Sequence, residues 1–149
     1  MKTLVLAHAV ATLFMLGVIA VVQIVHYPLF ARVGAEGFAT YQHEHARLIT
    51  WVVMPPMVVE LLTALALAVE APPAVPRWMP MAGLALVVII WGSTALIQVP
   101  AHGALSGGFD EGAHARLVAT NWIRTVAWFI RSGLVVAMLE RLLAGPTAS

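Results

Sequence analysis

Histidine, arginine and one glutamate are the residues of this chain equipped for chemistry, and they stand in or beside long apolar runs. His26, His45, His102 and His114 each fall where such a run begins or ends. Neutral imidazole is the commonest metal ligand and an acid or base near neutral pH. Four imidazoles around one mouth fit a metal or haem site, a metal-free proton relay, or interfacial hydrogen bonding without chemistry. His43-Glu44-His45 is not a zincin motif, because its rings are spaced i, i+2 and HExxH is not met. Cysteine is absent, which removes disulfides, thiolate metal sites, cysteine nucleophiles and covalent c-type haem. The cofactor expectation is therefore none, or a haem or metal held by His26, His45, His102 and His114.

Two of these histidines open a motif that occurs twice. His45-Ala46-Arg47-Leu48, closed by Trp51, returns as His114-Ala115-Arg116-Leu117, closed by Trp122. Each copy follows a polar loop containing glycine. Upstream of each loop an apolar segment ends near a Gln, Gln23 or Gln98, with a His and a Pro close by: His26 and Pro28, His102 and Pro100. Repeats are sought first because a missed one misassigns the fold. The pattern reads as a duplicated unit of helix, His-bearing loop and helix.

The elements that would carry these groups are membrane helices. The chain has 149 residues, 61% hydrophobic and only 10% charged, against about 25% charged in a soluble domain. Net charge is +1, so nothing points to nucleic acid. Residues 3–31 carry no Asp, Glu, Lys or Arg, and a spanning helix needs about 20 apolar residues. Lys2 before that run also fits a signal peptide. The run is long for one, lacks a clear small-x-small cleavage site, and forms half of the repeat unit. The expected architecture is all-α: one four-helix transmembrane domain over 1–149, built from two tandem hairpins. Repeat 1 covers about 3–70, a Pro-rich linker 71–80, and repeat 2 about 81–144. Helix 1 precedes a loop at 32–44. Helix 2 runs from His45 to about Val69 and holds Pro55-Pro56. Helix 3 spans 81–99, a second loop 100–113, and helix 4 runs from His114 to Leu143, stopped by Gly145-Pro146. Same-sense hairpins imply a pseudo-two-fold axis along the membrane normal.

Helical periodicity collects the polar side chains into stripes. His8, Thr12, Gln23 and His26 share one face of helix 1. Trp91, Thr94 and Gln98 fall at i, i+3, i+7 in helix 3. Asn121, Arg124, Trp128 and Arg131 fall at i, i+3, i+7, i+10 in helix 4. Charges inside a bilayer almost always face a bundle interior or wet cavity, so the stripes should converge. Thr12, Thr94 and Ser132 read first as interhelical glue, and His8 as structural. Trp51, Trp122 and Trp78 read as an aromatic belt. Trp91 and Trp128 lie deeper, where they either pack helices or wall a pocket for a flat ligand.

Aligned on Trp51 and Trp122, with one extra residue in the second copy, Glu60 coincides with Arg131. Nine residues below the tryptophans is about 13.5 Å, near the middle of a ~30 Å hydrocarbon core. Opposite charges at one depth predict a buried Glu60–Arg131 ion pair close to the pseudo-axis.

Asn121-Trp122-Ile123-Arg124-Thr125, with Trp128, Arg131 and the upstream His114, together with His26-Tyr27-Pro28-x-Phe30, resembles small four-helix membrane proteins of the anthrone-oxygenase-like group. Most bacterial members of that group have no assigned activity. The resemblance implies an integral membrane protein; its fungal relatives oxidise anthrones to anthraquinones with dioxygen.

The expected function is a small membrane oxidoreductase acting on an apolar aromatic or quinone-like substrate. His45 and His114 would be acid/base or ligand groups. Asn121 and Arg124 would orient an oxyanion or oxygen, and Gln23, Gln98, Trp91 and Trp128 would bind substrate. The alternative is a transporter or accessory subunit without chemistry. Expected partners are the lipid bilayer and a small apolar or aromatic ligand, with self-association or a larger membrane complex left open. Expected location is a bacterial inner membrane. Lys2, Arg77 and Arg141 on the terminal side balance Arg32, Arg47 and Arg116 on the other, so the positive-inside count ties. Cytoplasmic termini are the orientation taken forward.

Overall fold

In the computed structural model, residues 1–144 are described, and they form four long helices: α1 Lys2–Arg32, α2 Ala35–Val69, α3 Trp78–Ala104 and α4 Glu111–Ala144. The chain is an all-α four-helix bundle. In the ring of helices α1 packs against α2 and α4, and α3 closes the ring against both. Gly145-Pro146, the expected stop of the last helix, lies outside the described residues.

The loops are much shorter than the sequence suggested. α2 begins at Ala35 rather than near His45, because Phe38, Gln42 and His45 continue a buried stripe at i, i+4, i+7. Glu36, His43 and Glu44, which made the stretch look like a loop, are the exposed face of that helix. Gly34 turns the chain from α1 into α2 at a φ of 86°, a region that costs a side-chain-bearing residue energy. α3 continues past the expected end at 99 to Ala104. α4 starts at Glu111, where the Asp110 side chain accepts a hydrogen bond from the Ala113 N–H at 2.6 Å, an N-cap that satisfies an otherwise unpartnered donor.

Prolines shape α1 and α3 alike. Pro28 and Pro100 each lack the N–H that would bond four residues back, and their rings crowd that carbonyl. Both helices respond with one widened turn just upstream, Val22–His26 in α1 and Thr94–Gln98 in α3. Such π-turns are frequent at functional sites. Here they fall in the two helices that the sequence pairs as repeat counterparts.

Polarity is inverted relative to a water-soluble bundle. Gln23, Gln42, Glu60, Asn121, Arg124 and Arg131 are buried, while Leu62, Val88, Leu96, Val126 and Ile130 are exposed. α1, α2 and α3 are long and apolar enough to cross a membrane. α4 is outside that set. Asn121, Arg124 and Arg131 dilute its apolarity, yet all three turn inward and Trp122, Ile123, Val126, Phe129 and Ile130 face out. Length, composition and outer surface point to a lipid environment.

Candidate functional site

At the loop end, Phe30 is the hub. Its ring is wholly buried, and the four histidines surround it at centroid distances of 5.3 Å (His26), 5.1 Å (His45), 6.4 Å (His102) and 6.4 Å (His114). The sequence expected these histidines around one mouth. They do cluster, but around an aromatic ring rather than an open centre. Each also has a protein partner. His26 Nε2 is hydrogen-bonded to His45 Nδ1 at 2.9 Å, and His114 Nε2 to the Tyr27 carbonyl oxygen at 2.7 Å. His102 is held on both nitrogens, by Tyr27 Oη at 2.9 Å and Gln42 Nε2 at 2.8 Å. Among the described residues no three His, Asp or Glu side chains are placed to hold a metal ion. The donor set therefore does not fit a metal ion held by these four histidines.

Donor logic fixes the His102 tautomer. Gln42 Nε2 also donates to the His102 carbonyl oxygen at 3.3 Å, so its amide is oriented with nitrogen towards His102. An amide N–H can only donate, so Nδ1 of His102 accepts and its proton sits on Nε2, donating to Tyr27. The Tyr27 hydroxyl hydrogen is then left to donate elsewhere. His45 keeps one buried nitrogen, Nε2, without a partner.

Below this layer lies a cavity of about 430 Å³ between α1, α2 and α3. Met15, Ile19, Val53 and Met57 make its walls apolar; Tyr27, Gln98, His102 and Arg124 supply its polar groups. Thr50, Met54 and Val99, also on its lining, are exposed, so it opens sideways between α2 and α3. A cavity of this size suits one small ligand.

Arg124 is held by α4. Its Nη1 donates to Asn121 Oδ1 at 3.3 Å, and its guanidinium lies 5.3 Å from the Trp128 ring centroid. Asn121 is in turn fixed by Gln23, whose Oε1 accepts from Asn121 Nδ2 at 2.8 Å and Thr125 Oγ1 at 3.3 Å. Nε of Arg124 and Oε1 of Gln98 have no partner.

Two turns further along α4, Arg131 donates to Glu60 Oε1 at 3.1 Å, to the Gly83 carbonyl and to Thr12 Oγ1 at 3.4 Å. Trp128 Nε1 donates to Glu60 Oε2 at 2.9 Å. His8 Nδ1 meets Thr63 Oγ1 at 2.7 Å, and its Nε2 faces Arg131 Nη2 at 3.5 Å.

Of the residues singled out from sequence, Gln98 and Arg124 line the cavity. Asn121, Gln23 and Trp128 stand behind Arg124 and position it. His45 and His114 lie in the Phe30 cluster above. Trp91 is half-buried against the middle of the core, away from the lining. Tyr27, Phe30, Gln42 and His102 make a larger share of the polar end than sequence reasoning assigned them. Tyr27 and Phe30 were visible within the His-Tyr-Pro-x-Phe motif. Gln42 gives no signal in the sequence, because the polar stretch around it reads as a loop. No known protein family, curated protein or solved structure matches the chain.

Proposed function

We propose that the protein is a small membrane oxidoreductase acting on an apolar aromatic or quinone-like substrate, of the anthrone-oxidising kind. The cavity supports this assignment: apolar walls sized for a flat ligand, a sideways opening suited to a lipid-dissolved molecule, and hydrogen-bond donors gathered at one end. The substrate oxygen would sit against Arg124 and the free hydroxyl hydrogen of Tyr27. Preorganised donors favour the form of the substrate in which that oxygen carries negative charge. Loss of a proton from the ring methylene produces that form. His45 stands in the layer above the cavity rather than on its lining, so the proton would reach its unpartnered Nε2 through a bridging water and pass out by way of the half-exposed His26 behind it. The electron-rich anion is then oxidised by dioxygen. The methylene becomes a carbonyl holding one oxygen atom, and the other leaves as water. A bacterial inner membrane with cytoplasmic termini is the setting we assign.

The test is oxygen uptake by purified protein supplied with anthrone, above the spontaneous rate, with ¹⁸O from labelled dioxygen found in the anthraquinone. His45→Ala and Arg124→Gln should remove the catalysed part. Uptake no faster than in protein-free buffer would overturn the assignment. Binding without uptake would favour the alternative, a transporter or accessory subunit, for which the Glu60–Arg131 pair remote from the cavity would serve assembly or proton coupling.

A further inference from the structure

The interior contains two guanidinium groups and one carboxylate. Arg124 and Arg131 are the only buried Lys or Arg side chains among the described residues, and Glu60 is the only buried Asp or Glu. The remaining six of the chain's seven acidic residues, Glu36, Glu44, Glu70, Asp110, Glu111 and Glu140, are all exposed. Glu60 is committed to Arg131 at 3.1 Å. Arg124, only 7% exposed, has one amide oxygen, the neutral hydroxyl of Tyr27, the face of Trp128 and an Nε without a partner. The groups facing it from other helices are Tyr27 on α1 and His102 on α3, neither of them a carboxylate. A buried charge without a counter-charge is the costly state of an ion pair, and Arg124 lines the cavity.

We infer that the cavity takes an organic anion, a flat or elongated apolar body bearing one ionised oxygen group, and that this ligand is the missing counter-ion of Arg124. The inference rests on the proposed site and deepens it: the ligand is bound as phenolate, enolate or carboxylate rather than as a neutral quinone. The apolar walls exclude a bare inorganic ion as sole occupant, because they would leave most of the volume unfilled. Gln98 Oε1, buried on the same lining and unpartnered, is an acceptor placed for a hydroxyl elsewhere on the ligand. Two sources share this chemistry, an acidic aromatic and a fatty acid from the bilayer.

The experiment is calorimetric titration of the whole protein in detergent at neutral pH. The probes are 2-hydroxy-1,4-naphthoquinone, which is acidic, and 1,4-naphthoquinone, which is not. A charge-assisted contact should make the acidic probe bind about tenfold tighter or more. Arg124→Met should abolish that preference while Arg124→Lys retains part of it. Laurate against dodecanol forms the second arm: an Arg124-dependent affinity for laurate exceeding that for the hydroxyquinone assigns the anion to lipid, and the reverse order assigns it to an acidic aromatic. Chloride titration forms the third: Arg124-dependent stabilisation by chloride alone, with no organic anion bound, overturns the inference. Equal affinity for acidic and neutral probes overturns it too, yet leaves the oxidoreductase proposal standing. Tight binding of the acidic probe with no oxygen uptake from anthrone does the reverse. Binding of no probe at all defeats both.

Discussion

Glu60 and Arg131, from α2 and α4, meet at 3.1 Å with both side chains sealed from the surface. The pair does not stand alone, since Trp128, Gly83 and Thr12 take up further hydrogen-bonding capacity on the two charged groups. Desolvating two ions costs energy that their attraction repays only with such partners.

Removing one partner should therefore harm more than removing both. Glu60→Gln and Arg131→Met should each lower stability by about 3–5 kcal/mol, the usual loss when a buried pair is broken. The double variant should lose clearly less than the sum. Thermal unfolding in detergent measures all three, and strict additivity would mean that the pair is uncoupled.

The two buried arginines should respond oppositely to the same substitution. Arg131→Met strands Glu60. Arg124→Met strands no charge and removes an unpaired one, leaving only Asn121 Oδ1 without its donor. Its unfolding temperature in ligand-free detergent should match or exceed that of the parent. A fall as large as that of Arg131→Met would show that Arg124 has a counter-charge within the chain.

Much of this interior was legible before the fold was known, for a simple reason. Helical spacing alone decides which residues share a face, so the stripe Asn121, Arg124, Trp128, Arg131 could be read directly. The depth match between Glu60 and Arg131 followed from rise per residue once a one-residue gap was allowed. Less accessible was the course of the chain at the loop end. Phe38, Gln42 and His45 continue the helical period into a stretch dense with Gly, Glu and His, and composition there argued against helix. The Phe30 hub depends on four elements meeting, which no local pattern encodes. The cavity is likewise a gap among α1, α2 and α3, a property of how whole helices pack.

Gln23 is the keystone of the layer behind Arg124, since one oxygen serves both Asn121 and Thr125. Gln23→Leu keeps the volume and removes the acceptor. Asn121 Nδ2 then loses its acceptor, at about 1–3 kcal/mol for a buried donor left unsatisfied, while the Thr125 hydroxyl keeps the Asn121 carbonyl oxygen at 3.1 Å. Because Asn121 orients Arg124, the same variant should weaken binding of the acidic naphthoquinone. Unchanged affinity alongside lowered stability would confine Gln23 to a packing role.

Absence of cysteine makes the membrane placement testable with single introduced thiols. Val88 on α3 lies about 15 Å along the helix from Trp78, at the depth of the hydrocarbon midplane, and is 62% exposed to whatever surrounds the bundle. Ile130 on α4 is 51% exposed, one residue from the buried Arg131. If lipid covers the outer face, Val88→Cys and Ile130→Cys should both resist a water-soluble maleimide in native membranes. Pro73→Cys and Ser106→Cys, in the turns at opposite ends, should react. Ile130 is the demanding position, because α4 falls short of a spanning helix on composition and qualifies only if its arginines are hidden. Labelling of Ile130→Cys as fast as Pro73→Cys, with Val88→Cys protected, would mean that α4 borders water or another subunit. With cytoplasmic termini, Ser106→Cys reacts in intact cells and Pro73→Cys only after the membrane is opened or inverted. The opposite pattern would reverse the orientation and leave the bundle as described.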